Sequence, residues 1–198
     1  MLHIPAGVNV YSTKENSTGQ STNVSLFWQT GYNQRYLKLV RQYSDVIVSA
    51  FAGHTHMDDF RLIYNADPPS KRQAVDYIHI SASVSPVFGN NPAFQIISFN
   101  PQSGELTEAV TWYMNLADTV PAFTQEYVYS TTYGNPPGLL GLESLYPTLV
   151  SDSAKRDSYI DYYPVCSEDS AISDVWQWYW CGIGNLTSTD YAACKQLP

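Results

Sequence analysis

The clearest periodicity lies in "GYNQRYLKLVRQYSD" (residues 31–45), where Tyr32, Tyr36, Leu39, Val40 and Tyr43 recur at helical spacing and predict an amphipathic helix with those residues on its buried face. The next run, "DVIVSAFAG" (residues 45–53), is apolar almost throughout. It predicts a short strand buried on both faces, with Gly53 ending it in a tight turn. Four later segments, "FRLIY", "AVDYIHIS", "AFQIISF" and "LTEAVTWYM", are rich in β-branched and aromatic residues. They are separated by the turn signals "NADPPS", "GNNP" and "NPQSG", and so predict a second, mostly antiparallel sheet. Beyond Asn115 the pattern turns helical and aromatic, through "FTQEYVYSTTYG" and "LLGLESLYPTLVSD" to "DVWQWYWC". This predicts a helical appendage packed on the sheet through its Tyr and Trp residues, and Trp176, Trp178 and Trp180 are read as packing rather than as a lipid or sugar site. The polar stretch "STKENSTGQSTN" reads as a surface loop, and there is no internal repeat.

Composition narrows the class. The chain has 198 residues, 44% apolar and 14% charged, which suits a globular protein with a core of its own. "VIVSAFAG" falls far short of the roughly 20 apolar residues of a membrane helix, so no transmembrane segment is expected. Eighteen acidic against ten basic residues, a formal charge of -8, argue against a nucleic-acid surface. An anionic substrate would therefore need local positive charge, most simply from metal ions. Cys166, Cys181 and Cys194 all fall near the end of the chain, and Asn16 ("NST"), Asn23 ("NVS") and Asn185 ("NLT") fit the glycosylation acceptor pattern. Together these favour a secreted or lumenal protein, where disulfides persist. "MLHIPAGVNV" nevertheless lacks the basic start and apolar core of a signal peptide.

The candidate chemistry lies in "FAGHTHMDDF". It places His54 and His56 in a loop at the carboxyl end of a buried strand, where open α/β sheets bind ligands. Imidazole suits zinc and similar ions, and two histidines one residue apart can serve one ion or two neighbouring ions. The plainer reading makes them surface or capping residues paired with Asp58 or Asp59. "HIPAG" near the start shifts the balance, because it sets His3 beside a proline and a glycine about one helix and one strand upstream. His79, alternating with apolar neighbours in "DYIHI", is read as a structural strand residue.

With "HIPAG", "FWQTGYNQRYLKLVRQYSDVI", "GHTHMDDFRLIY", "SASVSPVFGNNPAFQI" and the tail "YYPV…WYWCGIGNLTSTDYAAC", the chain resembles the acid sphingomyelinase-like phosphodiesterases of the calcineurin-like metallophosphoesterase superfamily. The resemblance runs over most of its length. One departure is Ala6, where that branch usually has a second proline. The resemblance implies an α/β (α+β) fold: the C-terminal half of a metallophosphoesterase β-sandwich flanked by helices over residues 1–115, then a helical, cysteine-containing subdomain over 116–198. It further implies two zinc or similar divalent ions, with His3 and His54 on one and His56 helping to hold the other. Such a pair would activate a hydroxide for in-line attack on a phosphodiester, either a small molecule or a lipid headgroup. From the residues themselves, Asp58 either orients a ligand histidine from behind or is a solvated turn aspartate; by the resemblance Asn91 lies on the substrate side, although Asn-Pro is also an ordinary turn signal.

The family's remaining ligands and its leaving-group acid lie upstream of the "HIPAG" position, so no catalytic acid is assigned in this chain. The expectation is a C-terminal part of a secreted or lysosomal phosphodiesterase that is silent without its N-terminal half. The alternative is a non-catalytic secreted binding or structural protein that keeps the half-fold without a complete metal centre. Three cysteines allow three pairings. The resemblance selects Cys181–Cys194, with Cys166 free or bonded elsewhere and a glycan on Asn185 at the outer face of the closed loop.

Overall fold

A computed structural model describes residues 1–15, 23–66 and 73–196. In chain order the elements are α1 (Val10–Glu15), α2 (Thr30–Gln42), β1 (Ala50–Ala52), β2 (Asp59–Tyr64), β3 (Ala74–Ile80), β4 (Ala93–Phe99), β5 (Leu106–Met114), β6 (Phe123–Val128), α3 (Tyr129–Tyr133), α4 (Leu139–Ser151), α5 (Ser153–Tyr162), α6 (Trp176–Gly184) and α7 (Ser188–Lys195). The strands form two three-stranded sheets, ordered β1-β3-β2 and β4-β5-β6. β1 runs parallel to β3, and every other pairing is antiparallel. The architecture is therefore mixed α and β, as the fold-class expectation has it.

Helix α2 forms where its periodicity predicts, with Val40 buried and Tyr36 half-buried as expected, but its inward face is centred one step round, on Asn33 and Leu37. Asn33, Leu37 and Val40 point inward at i, i+4 and i+7, whereas Tyr32 is 65% exposed and Leu39 and Tyr43 are exposed as well. The cause is polar. The Asn33 carbonyl oxygen accepts the Gly7 N–H at 2.8 Å and its amide donates to the Leu186 carbonyl at 2.9 Å, which turns this face toward the core.

The apolar run after α2 is likewise only partly strand. The Val46 and Ile47 N–H groups donate back to the Tyr43 carbonyl in a turn, leaving Val46 72% exposed and only Ala50–Ala52 in β1. "FRLIY" and "AVDYIHI" join β1 in the first sheet instead of the second. "FTQEYV", expected to be helical, is strand β6, paired along β5. The helix begins only at Tyr129 and ends at Gly134 in the left-handed conformation (φ 82°). Sheet structure thus continues past residue 115, the expected start of the helical region.

The tail packs as helices. α6 lies against β2 on one side, and Gly182 lets α1 approach it closely: a Cβ there would stand 2.7 Å from Val10 Cγ2. The tryptophans of α6 pack as expected. Trp180 stacks on Tyr146 and donates to its carbonyl at 2.9 Å, while Arg156 and Lys195 lie over the Trp176 and Trp178 rings. Cys181 and Cys194 are disulfide-bonded, tying α6 to α7, and Cys166 is free. Among the described residues no helix is long and apolar enough to cross a membrane.

A candidate histidine site at the end of β1

Strand β1 delivers its last residue into the Gly53–His56 turn, and the start of the chain is tied to the same edge. Leu2 N–H donates to the Phe51 carbonyl at 2.7 Å, and Gly53 N–H donates to the His3 carbonyl at 3.0 Å. These bonds bring the His3 ring edge-on to His54, with centroids 5.3 Å apart. Phe27 closes another side of His54 at 5.7 Å. Both turn histidines adopt left-handed backbone, His54 at φ 72° and His56 at φ 65°. For residues with a Cβ this conformation costs of order 1 kcal/mol each, and such strain concentrates at functional sites.

Burial lowers the His54 pKa, and the nearby His3 and His56 lower it further, which favours the neutral ring. His56 is oriented differently. Its Nδ1 lies 3.0 Å from the Ser85 carbonyl oxygen. A carbonyl only accepts, so Nδ1 carries the proton and Nε2 is left bare. Metal-ligating histidines are commonly oriented by such a carbonyl partner. Phe88 packs on the His56 ring at 4.7 Å.

These residues fit a metal in part. Two imidazoles on one tetrahedral ion, with metal–nitrogen bonds near 2 Å, place their ring centroids about 5 Å apart, and the His3–His54 pair meets that spacing. Among the described residues, however, no group of three His, Cys, Asp or Glu side chains is gathered as a ligand set. Among the described residues the site therefore offers imidazole nitrogens with no carboxylate gathered beside the His3–His54 pair.

Asp58 is not placed as a partner of the histidines. Its carboxylate Oδ2 accepts from Tyr127 OH at 2.9 Å, Gln95 Nε2 at 2.8 Å and Thr111 Oγ1 at 3.2 Å. Burial raises its pKa to about 7, outweighing the downward pull of the three donors, and Asp59 adds to the rise. The carbonyl of Ser85, not Asp58, orients His56.

His79 is buried as a strand residue. Its Nε2 stands 2.7 Å from Gln95 Oε1, so that Gln95 links His79 to Asp58 across the two sheets. Asn91 also differs from expectation: its amide donates to the Val165 carbonyl at 2.9 Å and its oxygen accepts from Leu116 N–H at 3.1 Å. With both ends taken up by backbone, it fastens a loop and does not face a substrate.

Of the acceptor asparagines, Asn16 lies outside the described residues and Asn23 is exposed. Asn185 is 6% exposed, with its amide donating to the Cys181 carbonyl at 2.9 Å. The expected outer-face glycan there conflicts with this inward orientation. The sequence reading missed Asn90, Gln95 and the buried Asp59–Arg61 ion pair. The charge alternation in "DDFR" was the available signal for that pair.

No family model matches the chain. Among curated proteins it is 28% identical over 183 residues to the human cyclic GMP-AMP phosphodiesterase SMPDL3A, covering 84% of this chain and 39% of the relative. It is 26% identical over 196 residues to the human acid sphingomyelinase-like phosphodiesterase 3b, covering 88% and 41%. With sphingomyelin phosphodiesterase B of Dictyostelium discoideum it shares 29% over 143 residues, covering 67% and 22%. All three relatives are phosphodiesterases. The chain is similar over most of its length to acid sphingomyelinase-like phosphodiesterases, and it spans 22% to 41% of the length of these three relatives.

Proposed function

We propose that this chain supplies part of the active site of a metal-dependent phosphoric diester hydrolase of the sphingomyelin phosphodiesterase type. The observation that carries the reading is the convergence of His3 on the strained "GHTH" turn, with ring centroids at coordination spacing and a bare, oriented Nε2 on His56. His3 and His54 would hold one divalent ion, zinc by family resemblance, and His56 would contribute to a second. When bound, the ions supply positive charge and an activated water opposite the phosphoryl group.

The chain's own residues set up the donors. The Gly53 N–H holds the His3 carbonyl in place, burial and the neighbouring histidines lower the His54 pKa, and Ser85 fixes the His56 tautomer. The bridging carboxylate and the leaving-group acid come from protein outside this chain, and the substrate is a small phosphodiester or a lipid headgroup. The Cys181–Cys194 bridge favours a secreted or lysosomal setting.

The test is turnover of a chromogenic phosphodiester by the purified chain with excess zinc, alongside zinc affinity by calorimetry. The expected result is zinc binding without turnover. Zinc-dependent turnover that is lost in His54→Ala would show that the site is complete within these residues. No zinc binding at all would remove the metal reading.

A further inference from the structure

The loop between β3 and β4 presents one carbonyl, that of Ser85, to the Nδ1 of His56. That carbonyl has a second donor. Asn90, 2% exposed, donates its Nδ2 to Ser85 O at 3.1 Å, to Asn91 O at 3.0 Å and more weakly to Ser83 O at 3.4 Å. The orientation of its amide is unambiguous, because turning it over would set Oδ1 against three carbonyl oxygens. The consequence is visible on the other side: Asn90 Oδ1 is buried without a partner. A side chain that leaves its acceptor unsatisfied in order to donate three ways is held there for its donors.

The rest of the loop is fixed around this point. Ser85 N–H donates to Ser83 Oγ at 3.1 Å, Gly89 closes a turn onto Pro86 O at 3.0 Å with φ 83°, and Asn91 pins the following residue to the Val165 and Leu116 backbone. Both lone pairs of the Ser85 oxygen are thereby engaged, one by His56 and one by Asn90.

We propose that Asn90 is a positioning residue for His56: by clamping the Ser85 carbonyl it holds the imidazole in the Nδ1–H tautomer, with Nε2 bare toward the site. The proposal rests on the reading of His56 as a site residue. Asn90 donates to the carbonyl that His56 uses, and so acts on the ring through Ser85. Without the clamp the carbonyl swings, the ring loses its fixed proton position, and Nε2–H competes as in free imidazole.

The experiment is ¹⁵N NMR of the histidine rings in the metal-free chain, at a pH where imidazoles are neutral. The expected result is a His56 Nε2 resonance at the unprotonated position, together with slowly exchanging Asn90 side-chain amide protons. In Asn90→Asp, which keeps the volume and removes the donors, and in Asn90→Leu, the Nε2 resonance should move toward the protonated position while His79 and the backbone fingerprint stay in place. A His56 carrying its proton on Nε2 in the unaltered chain overturns the proposal. So does rapid exchange at the Asn90 amide, or an unchanged tautomer in either folded variant; the first two measurements decide the matter even if both variants unfold. Zinc is then added to the unaltered chain. If His56 Nε2 does not respond although its tautomer is as stated, the metal reading fails and the positioning role stands.

Discussion

His3 and His54 come from residues 51 positions apart in sequence, yet their rings meet edge to face with centroids 5.3 Å apart. The contact is built by backbone: the Gly53 N–H holds the His3 carbonyl, so the first residues are drawn onto the end of β1. If the pair shares an ion, His3→Ala and His54→Ala should each lower zinc affinity by at least tenfold, whereas His79→Ala, altering a ring already occupied by Gln95, should leave it within about twofold. Calorimetric titration of the variants measures this. Equal affinities across all three would detach the histidines from metal.

A second prediction concerns the Asp59–Arg61 pair, both side chains of which are almost fully buried. Asp59 also accepts from Tyr159 OH at 3.2 Å and from the Phe60 N–H at 2.8 Å. Arg61→Leu strands the carboxylate in the core and should cost about 3–5 kcal/mol. The double variant Asp59→Asn with Arg61→Leu removes both charges and should recover much of that loss. Urea unfolding decides it, and a loss below about 1 kcal/mol for Arg61→Leu would show that the pair is not buried in solution.

These outcomes bear on how the fold was written in the sequence. Periodicity located α2, and alternation with turn residues located β2 to β5, because side-chain burial follows backbone repeat. What periodicity could not show was where polar partners override it. Asn33 faces the core because it bridges Gly7 and Leu186, neither of which is near it in sequence. Val46 is exposed because its N–H returns to Tyr43. In the site, the three histidines were legible as residue types in a motif. The roles of Asp58 and Asn91 were not, since each depends on donors and acceptors brought from other strands and loops, such as Tyr127 for Asp58 and Val165 for Asn91. Asn90 stands beside Asn91 in the same turn signal, and only the carbonyls around it separate their functions.

The third prediction is the direction of stability with pH. Burial raises three carboxylic acids: Asp76 to about 6, Asp58 to about 7 and Glu126 to about 8. Between the ordinary carboxylate values of 3.8 to 4.5 and these raised values, the folded state binds more protons than the unfolded chain. Their contribution is full below the ordinary values and is lost as pH rises through about 6 to 8. His54 and His79 are lowered, so they oppose this only below their ordinary value of 6.5. The urea midpoint should therefore be highest in mildly acidic buffer and fall toward pH 8. Asp58→Asn should flatten the part of that fall between about pH 4 and pH 7. A midpoint that climbs steadily from pH 5 to pH 8 is the contrary result.

The last prediction rests on the bridge between Cys181 in α6 and Cys194 in α7, whose Cα atoms are 5.9 Å apart. The two cysteines are 13 residues apart, and closing a loop of that size should stabilise the fold by about 3 kcal/mol, chiefly by restricting the unfolded chain. α7 is further held by the Thr187 side chain capping the Asp190 N–H, by Lys195 over the Trp178 ring, and by Tyr191, buried with its hydroxyl donating to the Trp178 carbonyl at 3.1 Å. Cys194→Ser should therefore loosen the final helix first, seen as faster hydrogen exchange over residues 188–195, before the sheets lose protection. Peptide mapping without reductant should recover Cys181 joined to Cys194. Cys166 is exposed, yet it should react with a thiol label only slowly near neutral pH, because desolvation and the neighbouring Glu126 push its pKa up to about 12. A Cys166–Cys181 peptide with Cys194 free would contradict this arrangement of the tail.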